Sequence, residues 1–147
     1  MPTSTFWMIS GSGLAPFLVC LVIAYGSPED SALHDAAVRT FLVYAALTLS
    51  FLGGARWGAE LTRAPDAPNL WRLVAAAVPS VVGLAALVPQ TPPKVALGLL
   101  MLSGGIQLAW DVSASRAGLL PPWNARVRTV MTVAGTLCSL ALWPTIA

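Results

Sequence analysis

The chain has 147 residues, of which 56% are hydrophobic and 10% charged, and its mean hydropathy is +0.75. A soluble domain normally has about 25% charged residues, so this composition excludes a water-soluble globular protein and indicates a membrane domain. The net charge is +2 at pH 7, and the basic residues are spread singly along the chain, which argues against nucleic acid as a partner.

Five apolar segments approach the roughly 20 residues that a helix needs to cross the hydrocarbon core of a bilayer. In chain order they span residues 8–25, 36–56, 71–88, 95–110 and 127–143. No Lys or Arg precedes the first segment and no small-residue cleavage site follows it, so we interpret it as a retained helix. The sequence therefore predicts an all-α polytopic membrane protein, a single domain over residues 1–147 with a bundle of five transmembrane helices.

Polar stretches that contain proline separate the predicted helices, as expected where a chain leaves the membrane. They are residues 27–30, 64–69, 89–93 and 120–122. Pro16 and Pro79 differ because they lie within apolar segments, where proline leaves a carbonyl without its helical donor. We expect the helix to bend at both positions.

Arginine and tryptophan are distributed unequally between the two predicted sides of the membrane. One side has six basic residues, and the other has Arg39 and Lys94; the six are Arg56, Arg63, Arg72, Arg116, Arg126 and Arg128. The positive-inside rule therefore predicts a cytoplasmic N-terminus and a periplasmic C-terminus. Five tryptophans lie on the predicted cytoplasmic side, at the headgroup level that indole favours: Trp7, Trp57, Trp71, Trp110 and Trp123.

A ridge of small residues runs along the second segment. Ala46, Ser50, Gly54 and Gly58 follow one another at intervals of four residues, which places them on one helix face. Small side chains let another helix approach closely, so we interpret this small-residue ridge as a helix-packing surface. Close approach of a ligand is the alternative interpretation.

Polar residues at the predicted cytoplasmic ends of the second and fourth segments form the candidate site. The residues are Arg56, Trp57, Glu60, Gln107, Trp110 and Asp111. Glu60 and Asp111 each lie near the negative end of a helix dipole, so each is expected to need a nearby cation. We predict that Asp111 pairs with Arg56 or with a loop arginine. This layer either fixes the helix register or binds a lipid headgroup, a quinone or a small anion beneath the tryptophans.

The sequence contains no catalytic motif and no cluster of metal ligands. Its single histidine, His34, is followed by Asp35 but by no further ligand nearby, so we predict no metal site and interpret His34 as a solvated residue. Cys20 and Cys138 lie in apolar segments, which favours buried free thiols. We therefore expect a non-enzymatic protein without catalytic residues.

Several motifs are similar to the DUF3429 family, which includes the transmembrane protein 69 group. They are Gly-Leu-Ala-Pro-Phe at 13–17, Ser-Phe-Leu-Gly-Gly-Ala-Arg-Trp-Gly at 50–58, Val-Pro-Ser at 78–80, and the stretches 107–111 and 119–123. The family pattern has His where this chain has Arg56, which argues against a shared catalytic or metal role there. The resemblance implies a bacterial or mitochondrial inner membrane location, and no established reaction comes with it.

These observations lead to three hypotheses for the function. The first is an accessory, assembly or scaffold subunit that packs against a larger energy-transducing membrane complex, or against a second copy of the chain. The alternative is a small protein that binds or carries a lipid, a quinone or an isoprenoid. A channel or transporter ranks third, because it needs charged groups near the middle of the membrane. The fourth segment offers only Ser103 and Gln107 as strongly suggestive polar side chains. No cofactor is predicted beyond a bound lipid or quinone.

Overall fold

A computed structural model describes residues 3–120 and 122–146, and the regular structure in these ranges is entirely helical. The helices are α1 (Thr3–Ser12), α2 (Ala15–Gly26), α3 (Ala32–Arg63), α4 (Leu70–Ala86), α5 (Pro93–Arg116) and α6 (Pro122–Leu142), followed by a 3₁₀ turn at Trp143–Thr145. Each predicted transmembrane segment thus corresponds to helix, although several helices extend beyond the apolar stretch that predicted them.

Four stretches are long and apolar enough to cross a membrane: Trp7–Gly26, Ala32–Arg63, Pro93–Arg116 and Trp123–Thr145. Helix α4 is also apolar, and its 17 residues lie at the lower end of the length that a bilayer core requires. The predicted fold class, an all-α polytopic membrane protein, is confirmed for the described ranges. A fifth crossing depends on the shorter α4.

The distribution of polar and apolar side chains is suited to lipid as solvent. Large apolar residues are exposed on every long helix, for example Val22, Phe51, Leu84, Ile106 and Leu137. Polar residues are buried instead, namely His34, Glu60, Ser103, Gln107, Asp111, Ser139 and Thr145. Lipid chains solvate the apolar surface, whereas polar groups at membrane depth must find partners inside the protein.

The first helical segment is interrupted two residues before the position where a bend was expected. Helix α1 ends at Ser12, and α2 begins at Ala15, with Pro16 in its first turn. Had the helix continued, the ring of Pro16 would have met the carbonyl of Ser12. In the first turn the missing N–H of proline leaves no helical bond unmade. Helix α4, by contrast, continues through Pro79.

The contacts of the chain divide it into two compact units. The first unit contains Met1–Phe41 and Leu108–Ala147, and the second contains Leu42–Gln107. Because α3 and α5 each pass from one unit into the other, a helix name alone does not identify a unit.

In the first unit, α2 packs against α6. The hydroxyl of Tyr25 donates to the carbonyl oxygen of Ala141 at 2.7 Å, near the end of α6. Helix α6 then tightens into the 3₁₀ turn that contains Pro144, which has no N–H to donate. The thiols of Cys20 and Cys138 are buried and free, as predicted.

His34 is buried, with 3% of its surface exposed, so its interpretation as a solvated residue was wrong. Its backbone N–H donates to the hydroxyl of Ser31 at 3.1 Å, which caps the start of α3. Its Nδ1 lies 3.1 Å from the carbonyl oxygen of Ala24. Because a carbonyl only accepts, Nδ1 donates, and the imidazole joins the end of α2 to the start of α3.

Candidate functional site

Helices α3 and α4 approach each other closely in the second unit, through one glycine on each helix. A Cβ added to Gly53 would overlap the carbonyl oxygen of Ala76, and one added to Gly83 would lie 3.2 Å from the Cβ of Ala46. The two contacts are seven residues apart on each helix and follow opposite chain directions. The helices are therefore antiparallel and in close contact over two turns.

The small-residue ridge takes part in this contact only at its Ala46 end. Ala46 is buried and Ser50 is half-buried, whereas Gly54 and Gly58 are exposed. In the described ranges, a Cβ added at Gly54 or Gly58 meets no atom within 4 Å. Sequence reasoning assigned packing to Gly54 and missed Gly53. The signal for Gly53 was its spacing of seven from Ala46, which also places the two on one face.

The carboxylate of Glu60 joins the end of α3 to the start of α4. It accepts hydrogen bonds from Nε and Nη2 of Arg63 at 3.1 and 2.6 Å, and from Nη1 of Arg72 at 3.4 Å. It also accepts from the backbone N–H of Asn69 at 2.9 Å. Only 6% of Glu60 is exposed. The two arginines supply the cations that an acid at the end of a helix was expected to need.

Asn69 is the residue through which Glu60 fixes the hairpin between α3 and α4. Its side chain accepts from the backbone N–H of Arg72 at 3.1 Å and so caps α4. In a capping box, a carboxylate of the same helix returns a bond to the N–H of the capping residue. Here Glu60 of the preceding helix makes that bond, so one side chain stabilises both the loop and the helix start.

We expect Glu60→Gln to lower the midpoint of thermal unfolding by several degrees. The amide removes the charge that holds two arginines and replaces one acceptor oxygen by a donor. Glu29→Gln is the matched control, because Glu29 is an exposed acid in the loop before α3. Thermal unfolding of both variants in detergent measures the effect, and equal midpoints for the two would contradict this role of Glu60.

In the first unit, Asp111 on α5 forms an ion pair with Arg128 on α6. The Oδ2 of Asp111 lies 3.4 Å from Nε of Arg128, and the two side chains are 1% and 16% exposed. A buried carboxylate is stable only beside a compensating positive charge, and Arg128 provides one. Arg128 belongs to the arginines assigned to the cytoplasmic side of the chain. Arg56 is half-buried on α3, and its pairing with Asp111 stays a prediction.

The turn after α5 brings α6 alongside it. Gly118 has a φ of +72°, a conformation that other residues rarely adopt, and the N–H of Leu119 donates to the carbonyl of Ala114 at 2.9 Å. Together these features form a Schellman motif, which ends α5 sharply. Helix α6 then begins at Pro122. This short connection places Asp111 and Arg128 on neighbouring turns of the hairpin.

Further polar groups lie on the same face of α5 as Asp111. Gln107, one turn earlier, is 3% exposed, and its Nε2 is buried without a hydrogen-bond partner among the described residues. The hydroxyl oxygen of Ser115, one turn later, is buried in the same way. Buried polar atoms are normally satisfied, so each of these two atoms has the capacity to bind a further polar group. Sequence reasoning had not identified Ser115.

The tryptophans on the predicted cytoplasmic side are more exposed than the two acids of the candidate site, Glu60 and Asp111. Trp57 is 41% exposed, Trp123 is 45% exposed, and Trp110 is half-buried. Each lies within the last or first turns of a long helix, where an amphipathic indole suits the membrane boundary. Their proposed position above a ligand stays a prediction.

The fold and these contacts define a class of protein. It is a polytopic helical membrane protein with two hairpins, each fixed at its loop by a buried carboxylate and arginine. Residues 3–120 and 122–146 contain no group of His, Cys, Asp and Glu that could hold a metal ion.

Comparison with known proteins identifies the family. Residues 2–144 match the family described as "Protein of unknown function (DUF3429)", and the chain belongs to that family. The chain is also 29% identical over 110 residues to "Transmembrane protein 69" of Xenopus tropicalis. That similarity covers 70% of this chain and 43% of the relative, so less than half of the relative is represented. No solved structure matches the chain. The family predicted from the sequence motifs is thus confirmed.

Proposed function

We propose that this protein is a non-enzymatic accessory, assembly or scaffold subunit that packs against a larger complex of an energy-transducing membrane. The observation that supports the proposal is the exposed end of the small-residue ridge on α3. Ala46 already contacts α4, whereas Gly54 and Gly58 are exposed and leave room for a closely approaching helix. In lipid, such close packing replaces the hydrophobic effect as the main source of helix association.

The proposed location is the bacterial inner membrane, with a cytoplasmic N-terminus and a periplasmic C-terminus. The arginines around two hairpins support this orientation, because cytoplasmic loops are enriched in Lys and Arg. Arg63 and Arg72 flank the loop between α3 and α4, and Arg116, Arg126 and Arg128 flank the loop between α5 and α6. By the same reasoning, the opposite ends of α3 and α5 have one basic residue each, Arg39 and Lys94.

A variant that fills the ridge tests the subunit proposal. We expect Gly54→Leu with Gly58→Leu to abolish migration with a large complex, because leucine holds the partner helix away. The control is Gly105→Leu, since Gly105 on α5 is also exposed and without neighbours within 4 Å in the described chain. Native gel electrophoresis of membranes solubilised in mild detergent measures the association of each variant.

Each outcome of this experiment discriminates between the hypotheses. Loss of the large species in the ridge variant alone supports a subunit that packs through α3. A wild-type monomer that retains a copurified lipid or quinone favours the ligand-binding alternative and contradicts the subunit proposal. A large species that persists in the ridge variant places the contact elsewhere and contradicts the proposed surface.

A further inference from the structure

We propose that the adjoining ends of α5 and α6 bind the headgroup of an anionic phospholipid that carries hydroxyl groups, as phosphatidylglycerol does. Arg128 and Ser115 would hold the phosphodiester, and Asn124 would accept a hydrogen bond from a headgroup hydroxyl. The site is independent of the packing surface on α3, so it stands whether or not the chain has a protein partner.

The ion pair between Asp111 and Arg128 fixes the register of this site. Ser115 follows Asp111 by one turn on α5, and Asn124 precedes Arg128 by one turn on α6. Because the helices run in opposite directions, these steps lead from the ion pair toward the same loop. The register of the ion pair therefore places Ser115 and Asn124 on the two helices one turn closer to the loop.

Two polar atoms of this proposed site, one on Ser115 and one on Asn124, are buried and have no hydrogen-bond partner among the described residues. Neither Oγ of Ser115 nor Oδ1 of Asn124 has a hydrogen-bond partner among residues 3–120 and 122–146. Leaving such atoms unpaired costs about 1–3 kcal/mol each, so a bound group that pairs with them would stabilise the protein. A hydroxyl can donate to a phosphate oxygen, whereas an amide oxygen only accepts. The occupant must therefore have a donor for Oδ1 of Asn124, and a phosphate oxygen would accept from the hydroxyl of Ser115.

The charge of this part of the chain favours an anion. In residues 108–147, Arg116, Arg126 and Arg128 provide three positive charges against the one negative charge of Asp111, a net charge of +2. Arg128 directs Nε toward Asp111, and its two Nη groups carry the remaining donors of the guanidinium. Arginine is well suited to bind phosphate through paired N–H groups.

The position of the site favours a headgroup over a quinone. Ser115 and Asn124 lie in the last and first turns of their helices, and Trp123 is exposed beside them, as expected at the membrane boundary. A quinone ring offers acceptors only and would leave Oδ1 of Asn124 unpaired. A zwitterionic headgroup would not balance the positive charge of the hairpin. A hydroxylated anionic headgroup meets all three requirements.

Lipid binding to the purified full-length chain in detergent tests the proposal, by native mass spectrometry with phosphatidylglycerol, phosphatidic acid and phosphatidylcholine. We expect phosphatidylglycerol to bind most tightly. Ser115→Ala should weaken the binding of both anionic lipids roughly tenfold to a hundredfold, the loss expected for one hydrogen bond to a charged group. Asn124→Ala should weaken the binding of phosphatidylglycerol alone when binding is measured at a pH at which phosphatidic acid is fully ionised and has no P–OH to donate.

The control variant is Ser113→Ala, since the hydroxyl of Ser113 is exposed and donates to the carbonyl of Ala109 at 2.8 Å. It should bind every lipid as the wild type does. Glycerol phosphate without acyl chains distinguishes a lipid from a free anion, and we expect it to bind far more weakly than the lipid. Equal affinity for glycerol phosphate and lipid, no preference for phosphatidylglycerol over phosphatidylcholine, or unchanged binding in both variants would each overturn the proposal.

Discussion

Gly53→Ala is expected to lower the free energy of unfolding by about 3 kcal/mol, the upper range for overpacking of a tight interior contact. The added Cβ would overlap the carbonyl oxygen of Ala76, which belongs to the backbone of α4 and cannot rotate away. Helices α3 and α4 would have to separate locally. That separation would also loosen the contact between Gly83 and Ala46 two turns away.

Gly54→Ala is the matched control for this prediction, and its effect should have the opposite sign. Gly54 is exposed within α3, so alanine meets no neighbour and raises the helix propensity by roughly 0.5–1 kcal/mol. Unfolding in a denaturing detergent, followed by circular dichroism, measures both variants. Equal stability of the two would show that α3 and α4 do not pack as described.

The second large effect concerns the ion pair of the first unit. We expect Asp111→Asn and Arg128→Gln each to destabilise the protein by about 3 kcal/mol, because each removes one side of a buried ion pair. The double variant should lose less than the sum of the single variants. The coupling free energy should be roughly 1–3 kcal/mol, as found for residues in direct contact.

A second mutant cycle provides the control for this coupling. Arg126 is exposed on the same turn of α6, so Arg126→Gln should be nearly neutral and additive with Asp111→Asn. Thermal unfolding of the five variants and the wild type in one detergent gives both couplings. Additivity in the cycle of Asp111 with Arg128 would contradict a direct interaction between them.

The sequence was sufficient to predict the class of fold, because a protein that is solvated by lipid must have long apolar segments. Runs of apolar residues locate helices in a bilayer, yet they do not locate helix ends. The second segment was predicted at 36–56, and α3 spans Ala32–Arg63. Its additional turns contain His34, Glu60 and Arg63, which are stabilised by capping, burial and ion pairing rather than by hydropathy. These contributions depend on neighbouring segments.

The candidate site was predicted in part. Glu60 and Asp111 were recognised because an acid near the end of a helix needs a cation. The partners of Glu60 were not named in advance, because Arg72 reaches it only after the chain has turned at Asn69. Ser115 and Asn124 were missed for a related reason. Their importance depends on the register of α5 and α6, and the pattern of one helix contains no information about the other.

The length of α3 determines how this helix fits into bilayers of different thickness. Its 32 residues extend about 48 Å, whereas the hydrocarbon core of a bilayer is about 30 Å thick. The excess must be accommodated by tilting or by ends that project into the headgroup region. Because hydrogen bonds to Ser31 and Glu60 stabilise the two ends of the helix, we do not expect the ends to unwind and shorten it. The tilt of α3 is therefore expected to increase as the bilayer becomes thinner.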